Sequence, residues 1–331
     1  MKRIPICLKP VAKDYIWGGS RLNDDYNFGC SADPFAEAWV CSTHPDGLSF
    51  ISSSSAAVQT TLLEYLRQEK EMLGSHVLQT TGGRAELPII IKLIDAKYDL
   101  SVQVHPDDEY ALRVEGELGK TEMCYVLDAK PSSNLIFGFK ADTTAEEVRN
   151  RIKDGNIAEL LNRVPIHRND VFMVKPGTVH AIGAGALVAE IQESSNTTYR
   201  LYDYDRGGKD GKKRELHIEK ALEVAILKAS DSPRQPMRVL RYKSGCASEL
   251  LMSCQFFRVE RLLVNTEVQR DFVRFQTGPN SFHVLLCIDG CGSIIWDDDV
   301  IYFFKGDCIF VPADSISLLI HGKAQFLNVS C

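Results

Sequence analysis

The chain has 331 residues, 44% hydrophobic and 25% charged, with a formal net charge of −6. This length can hold one large or two medium domains, each with its own core. The mildly acidic balance argues against a nucleic-acid surface, which needs concentrated positive charge, and no apolar stretch is long enough to span a membrane.

Near the start, Lys9 and Pro10 interrupt the apolar run before a signal-like core can form. Ten cysteines are scattered without a close Cys-x-x-Cys pair, which fits small apolar packing groups in a reducing cytoplasm. Residues 1–55, rich in Gly, Pro, Asp and Trp, predict turns between short strands, with His44 in a turn that can line a cleft. Val58, Leu62, Leu63, Leu66 and Leu73 predict a helical stripe over 56–76. Ile89-Ile-Ile-Lys-Leu-Ile94 is a buried-strand signal, and Pro106-Asp-Asp-Glu opens a helix. A strand is expected over 123–127, a helix from Thr143 to Asp154 with Thr144 as its cap, and a short helical piece at Leu160 and Leu161.

Strands and tight turns follow over 169–206, then an exposed glycine-rich loop at 207–213 and a helix over 216–228. A linker over 229–239, with Pro233 and Pro236, divides the chain into residues 1–235 and a β-rich unit over 236–331. Asn169-Asp-Val-Phe-Met-Val-Lys-Pro176 is echoed by Gly306-Asp-Cys-Ile-Phe-Val-Pro312, each an acidic turn before an apolar strand ending at proline. The second copy has Ile316 where the first has His180, which suggests two related barrels of which only the first keeps polar ligands.

The chemistry concentrates in the first unit. In Ser101-Val-Gln-Val-His105-Pro, strand alternation puts Gln103 and His105 on one face. Glu122 precedes the next strand, and His180 follows the turn Lys175-Pro-Gly-Thr-Val. Together these four make a mixed nitrogen and oxygen site that suits zinc, with iron or manganese as alternatives. With neutral imidazoles and a neutral amide, a divalent ion there would keep positive charge for polarising a substrate oxygen. Each residue also has an ordinary reading: a hydrogen-bonded histidine, a surface Lys120–Glu122 pair, a glutamine satisfying backbone groups. In the segment 189–206, Glu190 and Gln192 share a face, while Arg200 and Arg206 either pair with Asp203 and Asp205 or face a cleft.

The segments around Trp17-Gly-Gly, Ala36-Glu37-Ala-Trp39, Ser101–Asp107, Gly119-Lys-Thr-Glu122, Val174–Ile182 and Glu190–Arg206 resemble type I mannose-6-phosphate isomerase in its short bacterial form, over essentially the whole chain. The resemblance implies a mainly β, cupin-type jelly-roll fold: a metal-bearing barrel with helical insertions over 1–235, and a second, degenerate barrel over 236–331. It implies one zinc ion per chain on Gln103, His105, Glu122 and His180. Catalytic positions fall on Lys120, Glu190 and Arg200, and cleft positions on Ser101, Lys92, Trp17 and Glu37. Met123-Cys124 departs from the aromatic that many relatives carry before the tyrosine, and Tyr125 remains.

The reaction so implied is the interconversion of mannose 6-phosphate and fructose 6-phosphate through a cis-enediol(ate), with a small sugar phosphate as partner and no nucleic acid or membrane. A non-enzymatic sugar-binding protein with two cupin units and a metal-dependent oxygenase are the competing classes. The acid–base cluster at Glu190 and Arg200 argues against simple binding.

Overall fold

A computed structural model describes residues 2–26, 28–52, 60–208, 211–231, 233, 235, 237–268 and 271–331. Val58 of the expected helical stripe, Lys209 and Asp210 of the glycine-rich loop, and Ser232, Arg234 and Pro236 of the expected linker lie outside the described residues. The chain is mainly β with short helices, and its described strands pair antiparallel in three sheets.

The central sheet has six strands in the order Val171–Val174, Glu122–Ala129, Ala186–Glu193, Ile89–Asp95, Glu37–Cys41, Val11–Lys13. It is covered on both faces, so all seven residues of Ile89–Asp95 are buried, and alternation sends neighbours to different cores. Ile91, Leu93, Met123, Tyr125, Ala189 and Ile191 pack toward a ten-stranded sheet through Val259, Val284, Leu286, Phe310 and Leu327. On the opposite face Ile94, Cys124, Val126 and Val188 meet Leu135 and Ile182 of a five-stranded sheet. That sheet runs Tyr199–Tyr202, Val102–Val104, His180–Ile182, Asn134–Phe139, Leu161–Pro165. Its outer face is closed by helices Ala145–Lys153 and Ile218–Val224 through Val148, Ala221 and Leu222. The Thr144 hydroxyl caps the first of these, accepting from the Glu147 amide at 3.1 Å.

Most of the ten-stranded sheet comes from residues beyond 240, but Ile6–Lys9 pairs with Cys308–Val311 and brings Phe50–Ile51 with it. No helix among the described residues is long and apolar enough to cross a membrane.

The expected pair of closed jelly-roll barrels is corrected by this topology. Closure requires the first and last strands of a sheet to bond to each other. Here the sheets are open paths: the six-stranded sheet ends on Val171–Val174 and Val11–Lys13, and the five-stranded sheet on Tyr199–Tyr202 and Leu161–Pro165. The two sheets meet through side chains, an apolar layer and a polar cavity, as layers of a sandwich. A smaller correction concerns Leu161, which begins a strand; the only helical turn there is Ile157–Glu159. The expected helix over 56–76 is broken into Leu62–Gln68, a 3-10 turn at Lys70–Leu73 and a further helix from Ser75 to Thr80.

The internal echo has matching geometry in its two copies. Asp170 Oδ2 accepts the His167 amide at 2.7 Å, and the Asp170 amide donates back to His167 O at 3.0 Å. Asp307 does the same with Phe304, at 2.7 and 3.0 Å. Each turn launches a short strand, Val171–Val174 or Cys308–Val311.

Candidate active site

The cavity opens between the six- and five-stranded sheets. On the central sheet a row of side chains crosses four strands in register: Trp39 opposite Lys92, Lys92 opposite Glu190, and Glu190 opposite Cys124. Glu122 lies two residues before Cys124 and therefore projects from the same face. The other sheet supplies Gln103, paired with His180 on one side and Arg200 on the other.

The two sheets bring His105, Glu122 and His180 together, with one ligand atom from each inside a 4.8 Å cluster and all three residues buried. His180 Nε2 is 2.9 Å from Glu122 Oε1, and His105 Nε2 is 3.4 Å from Glu122 Oε2. Each imidazole is oriented through its other nitrogen: His105 Nδ1 lies 2.9 Å from Thr197 O and His180 Nδ1 2.9 Å from Thr178 O. A carbonyl can only accept, so Nδ1 carries a proton in both rings and Nε2 is the atom turned to the cluster, where it can give a lone pair to a metal. His105 Nε2 is buried without a hydrogen-bond partner, and Gln103 Nε2 approaches His180 Nε2 at 3.5 Å. Burial, and next the Lys120 ammonium, push the His105 imidazole down to about 3, which keeps it neutral. An orphaned imidazole nitrogen, a second oriented imidazole and a buried carboxylate fit a divalent metal.

Beside this cluster lies a cavity of 220 Å³, lined among others by Tyr15, Trp17, Lys92, Lys120, Asn196 and Arg214. Glu37, Ser101, Gln103, Glu190 and Arg200 also reach it.

The family model "Phosphomannose isomerase type I, catalytic domain" matches residues 6–132. Probable mannose-6-phosphate isomerase GmuF of Bacillus subtilis is 42% identical, over 98% of each chain. Mannose-6-phosphate isomerase ManA of the same organism is 36% identical over 97% of each. A crystal structure of mannose 6-phosphate isomerase from Bacillus subtilis superposes with a TM-score of 0.86 at 33% identity, covering 99% of both chains. The chain belongs to the type I mannose-6-phosphate isomerases. It is an isomerase with a metal-binding site.

In this isomerase the charged groups hold one another in defined states. Burial opposes ionisation of Glu122, but its polar neighbours, the Lys120 ammonium first among them, outweigh it and hold the carboxyl well below its ordinary range. Lys120 sits 3.0 Å from Glu122 Oε2; burial opposes its charge, and Glu122 and Glu190 more than restore it, raising its pKa. Glu190 goes the other way, raised by burial and then by Glu122, with Lys120 and Lys92 opposing. Lys92 Nζ stands 3.4 Å from Glu190 Oε1, and Lys120 Nζ 3.9 Å from the same atom. A buried carboxyl whose proton is easier to keep, flanked by two ammoniums, is suited to proton transfer.

Of the two readings open for the arginines, each holds for one residue. Arg206 pairs with Asp203 at 2.6 Å, whereas Arg200 faces the cavity, with Nε donating to Ser101 Oγ at 3.3 Å and Nη1 to Glu215 O at 2.8 Å. Burial, then the neighbouring Arg214, draws the Arg200 guanidinium below its usual range. His44 lies under the cleft, its ring edge-on to Trp39 at 6.1 Å, and does not line the cavity. Among the charged residues lining the cavity, Arg214 is the one the sequence hid: it follows a glycine-rich loop in a Lys-Lys-Arg run that reads as solvated. Asp203 folds it inward, accepting from Arg214 Nε at 2.7 Å and Nη2 at 2.6 Å.

Proposed function

We propose that this enzyme is a zinc-dependent mannose-6-phosphate isomerase that interconverts D-mannose 6-phosphate and D-fructose 6-phosphate through a cis-enediol(ate). The observation carrying this reading is the buried His105–Glu122–His180 cluster at the wall of a cavity that also holds Glu190, Lys120 and Arg200. The reaction printed in the relatives' names supplies its substrate. One zinc ion per chain would sit on His105, Glu122 and His180, with the Gln103 amide as the fourth ligand. When bound, it supplies Lewis-acid polarisation of the sugar oxygens.

The protein's own groups do the rest. Glu190 takes the proton from C2 of the open-chain aldose and returns it at C1, while the hydroxyl proton passes from O2 to O1. Its raised pKa suits a group that must hold the proton between the two transfers. Arg200, whose hydrogen bonds go to a hydroxyl and a carbonyl, is available to meet the developing enediolate charge. Lys120 keeps Glu122 ionised and offsets negative charge next to Glu190. Trp17, Glu37 and Lys92 bind the sugar. Lys92 is held against Glu190 and Trp39, so the phosphate is assigned to Ser101 and Arg214, where a guanidinium and a hydroxyl can both donate.

Residues 1–235 form the catalytic unit in this reading, and 236–331 support it from behind the central sheet. The proposed location is the cytoplasm, where ten free thiols stay reduced. Turnover in deuterium oxide tests the chemistry: whenever the proton held on Glu190 exchanges with solvent before its return, deuterium appears at C1 of the ketose and C2 of the aldose. Product free of deuterium after many turnovers would instead point to direct hydride transfer.

A further inference from the structure

Trp39 lies behind the cavity wall with no exposed surface, and no step above uses it. It is two residues from Glu37 on strand Glu37–Cys41, so both side chains leave the same face. Its indole Nε1 donates to Glu37 Oε2 at 2.7 Å. In the register it opposes Lys92, whose ammonium stands 4.7 Å from the ring centroid. Lys92 is 4% exposed and has lost its water, and an aromatic face attracts a desolvated ammonium. Lys92 has two carboxylates within reach, Glu190 Oε1 at 3.4 Å and Glu37 Oε2 at 3.9 Å.

The oxygen of Glu37 that could draw Lys92 away is the one already bonded to the indole. A neutral donor on that oxygen lowers its pull, so the ammonium leans toward Glu190. The ring itself is fixed from outside the cavity. His44 packs against it edge-on, and a side chain at Gly47 would collide with it, so that position must be glycine for the ring to seat.

We propose that Trp39 is a positioning residue: its N–H occupies Glu37 and its ring seats Lys92, so that Lys92 addresses Glu190 and Glu37 faces the sugar. The proposal rests on the reading of Glu37, Lys92 and Glu190 as parts of the isomerase cleft. Replacing Trp39 by 3-benzothienylalanine keeps the volume and ring face and removes only the N–H. Trp39→Phe is the genetically encoded counterpart.

The test is calorimetric binding of D-mannitol 1-phosphate, an open-chain hexitol phosphate that cannot isomerise, alongside kcat, metal content and melting temperature. The isostere is expected to weaken binding about tenfold, the scale of one hydrogen bond to a charged group, and to lower kcat, with metal content and melting temperature unchanged. Glu37→Gln removes the competing pull. In that background the isostere should change binding by less than about twofold, because the two effects act through one contact. Unaltered binding by the isostere, multiplicative losses in the double variant, or loss of metal in step with activity would each overturn the proposal. An unmodified enzyme that binds the hexitol phosphate but turns over no mannose 6-phosphate would defeat the isomerase reading, and the binding comparison would still decide the role of Trp39.

Discussion

Glu190 and Glu122 are both buried carboxyls in one charge cluster, yet their environments push them in opposite directions. The Lys120 ammonium stands 3.0 Å from Glu122, whereas Glu190 faces Glu122 across the strands and has its ammoniums at 3.4 and 3.9 Å. Such a split suits the ionised group to ligation and the proton-holding group to chemistry, as proposed. Glu190→Gln should therefore lower kcat by at least about a hundredfold, within the usual range for a lost general base, with metal content unchanged by elemental analysis. Arg200→Ala should also lower kcat without metal loss, and wild-type turnover there would remove it from the reaction.

Glu193 gives a separate pH signature. Burial raises its carboxyl from an ordinary 4.5 to about 7, with Asp108 reinforcing and the Thr121 hydrogen bonds opposing. A raised acid favours the folded state most below its unfolded pKa. That contribution, on the order of 3 kcal/mol, is lost as pH rises from about 4.5 through 7. Urea midpoints measured at pH 5 and pH 8 should thus differ, and Glu193→Gln should flatten the difference.

At the scale of elements, part of the proposed ligand set was legible because strand alternation is local. Gln103 and His105 share a face wherever their strand goes, and proline-flanked turns mark the strand ends that carry His105 and His180. Partnership across strands was not legible, since register depends on distant segments. Nothing near Lys92 reveals that it opposes both Trp39 and Glu190. Arg214 was hidden for the same reason, its inward turn being fixed by Asp203, eleven residues away.

Gly119 shows how an element's placement reaches the site. A Cβ there would fall against the backbone of Asp107 and Asp108, and its amide donates to Asp108 Oδ1 at 2.8 Å. Gly119→Ala should displace Lys120 and Glu122 together and weaken metal affinity by at least about tenfold, the scale seen when ligand support is lost. A competitive chelator titration would measure it.

At the scale of the molecule, the six-stranded sheet is the shared wall. One face carries the site, and the other is buried against the sheet built largely from the last hundred residues. The sequence conveyed β content and the repeated aspartate turn, but open and closed sheets share the same alternation, so the expected barrels had no local signal to contradict them. Support from behind makes stability and chemistry separable. Leu286, fully buried in the core between those sheets, faces no polar group of the cavity. Leu286→Ala should cost about 2–5 kcal/mol by urea denaturation while leaving metal content and kcat near normal below the transition.

The central claim joins the buried ligand cluster to the isomerisation. Its most direct measurement is a coupled assay for fructose 6-phosphate formed from mannose 6-phosphate, run on chelator-stripped protein and on the same protein titrated with zinc. The account predicts that stripped protein is inactive and that activity returns in full at one zinc ion per chain. Undiminished turnover in the stripped protein, or no turnover in the zinc-loaded protein, would contradict it.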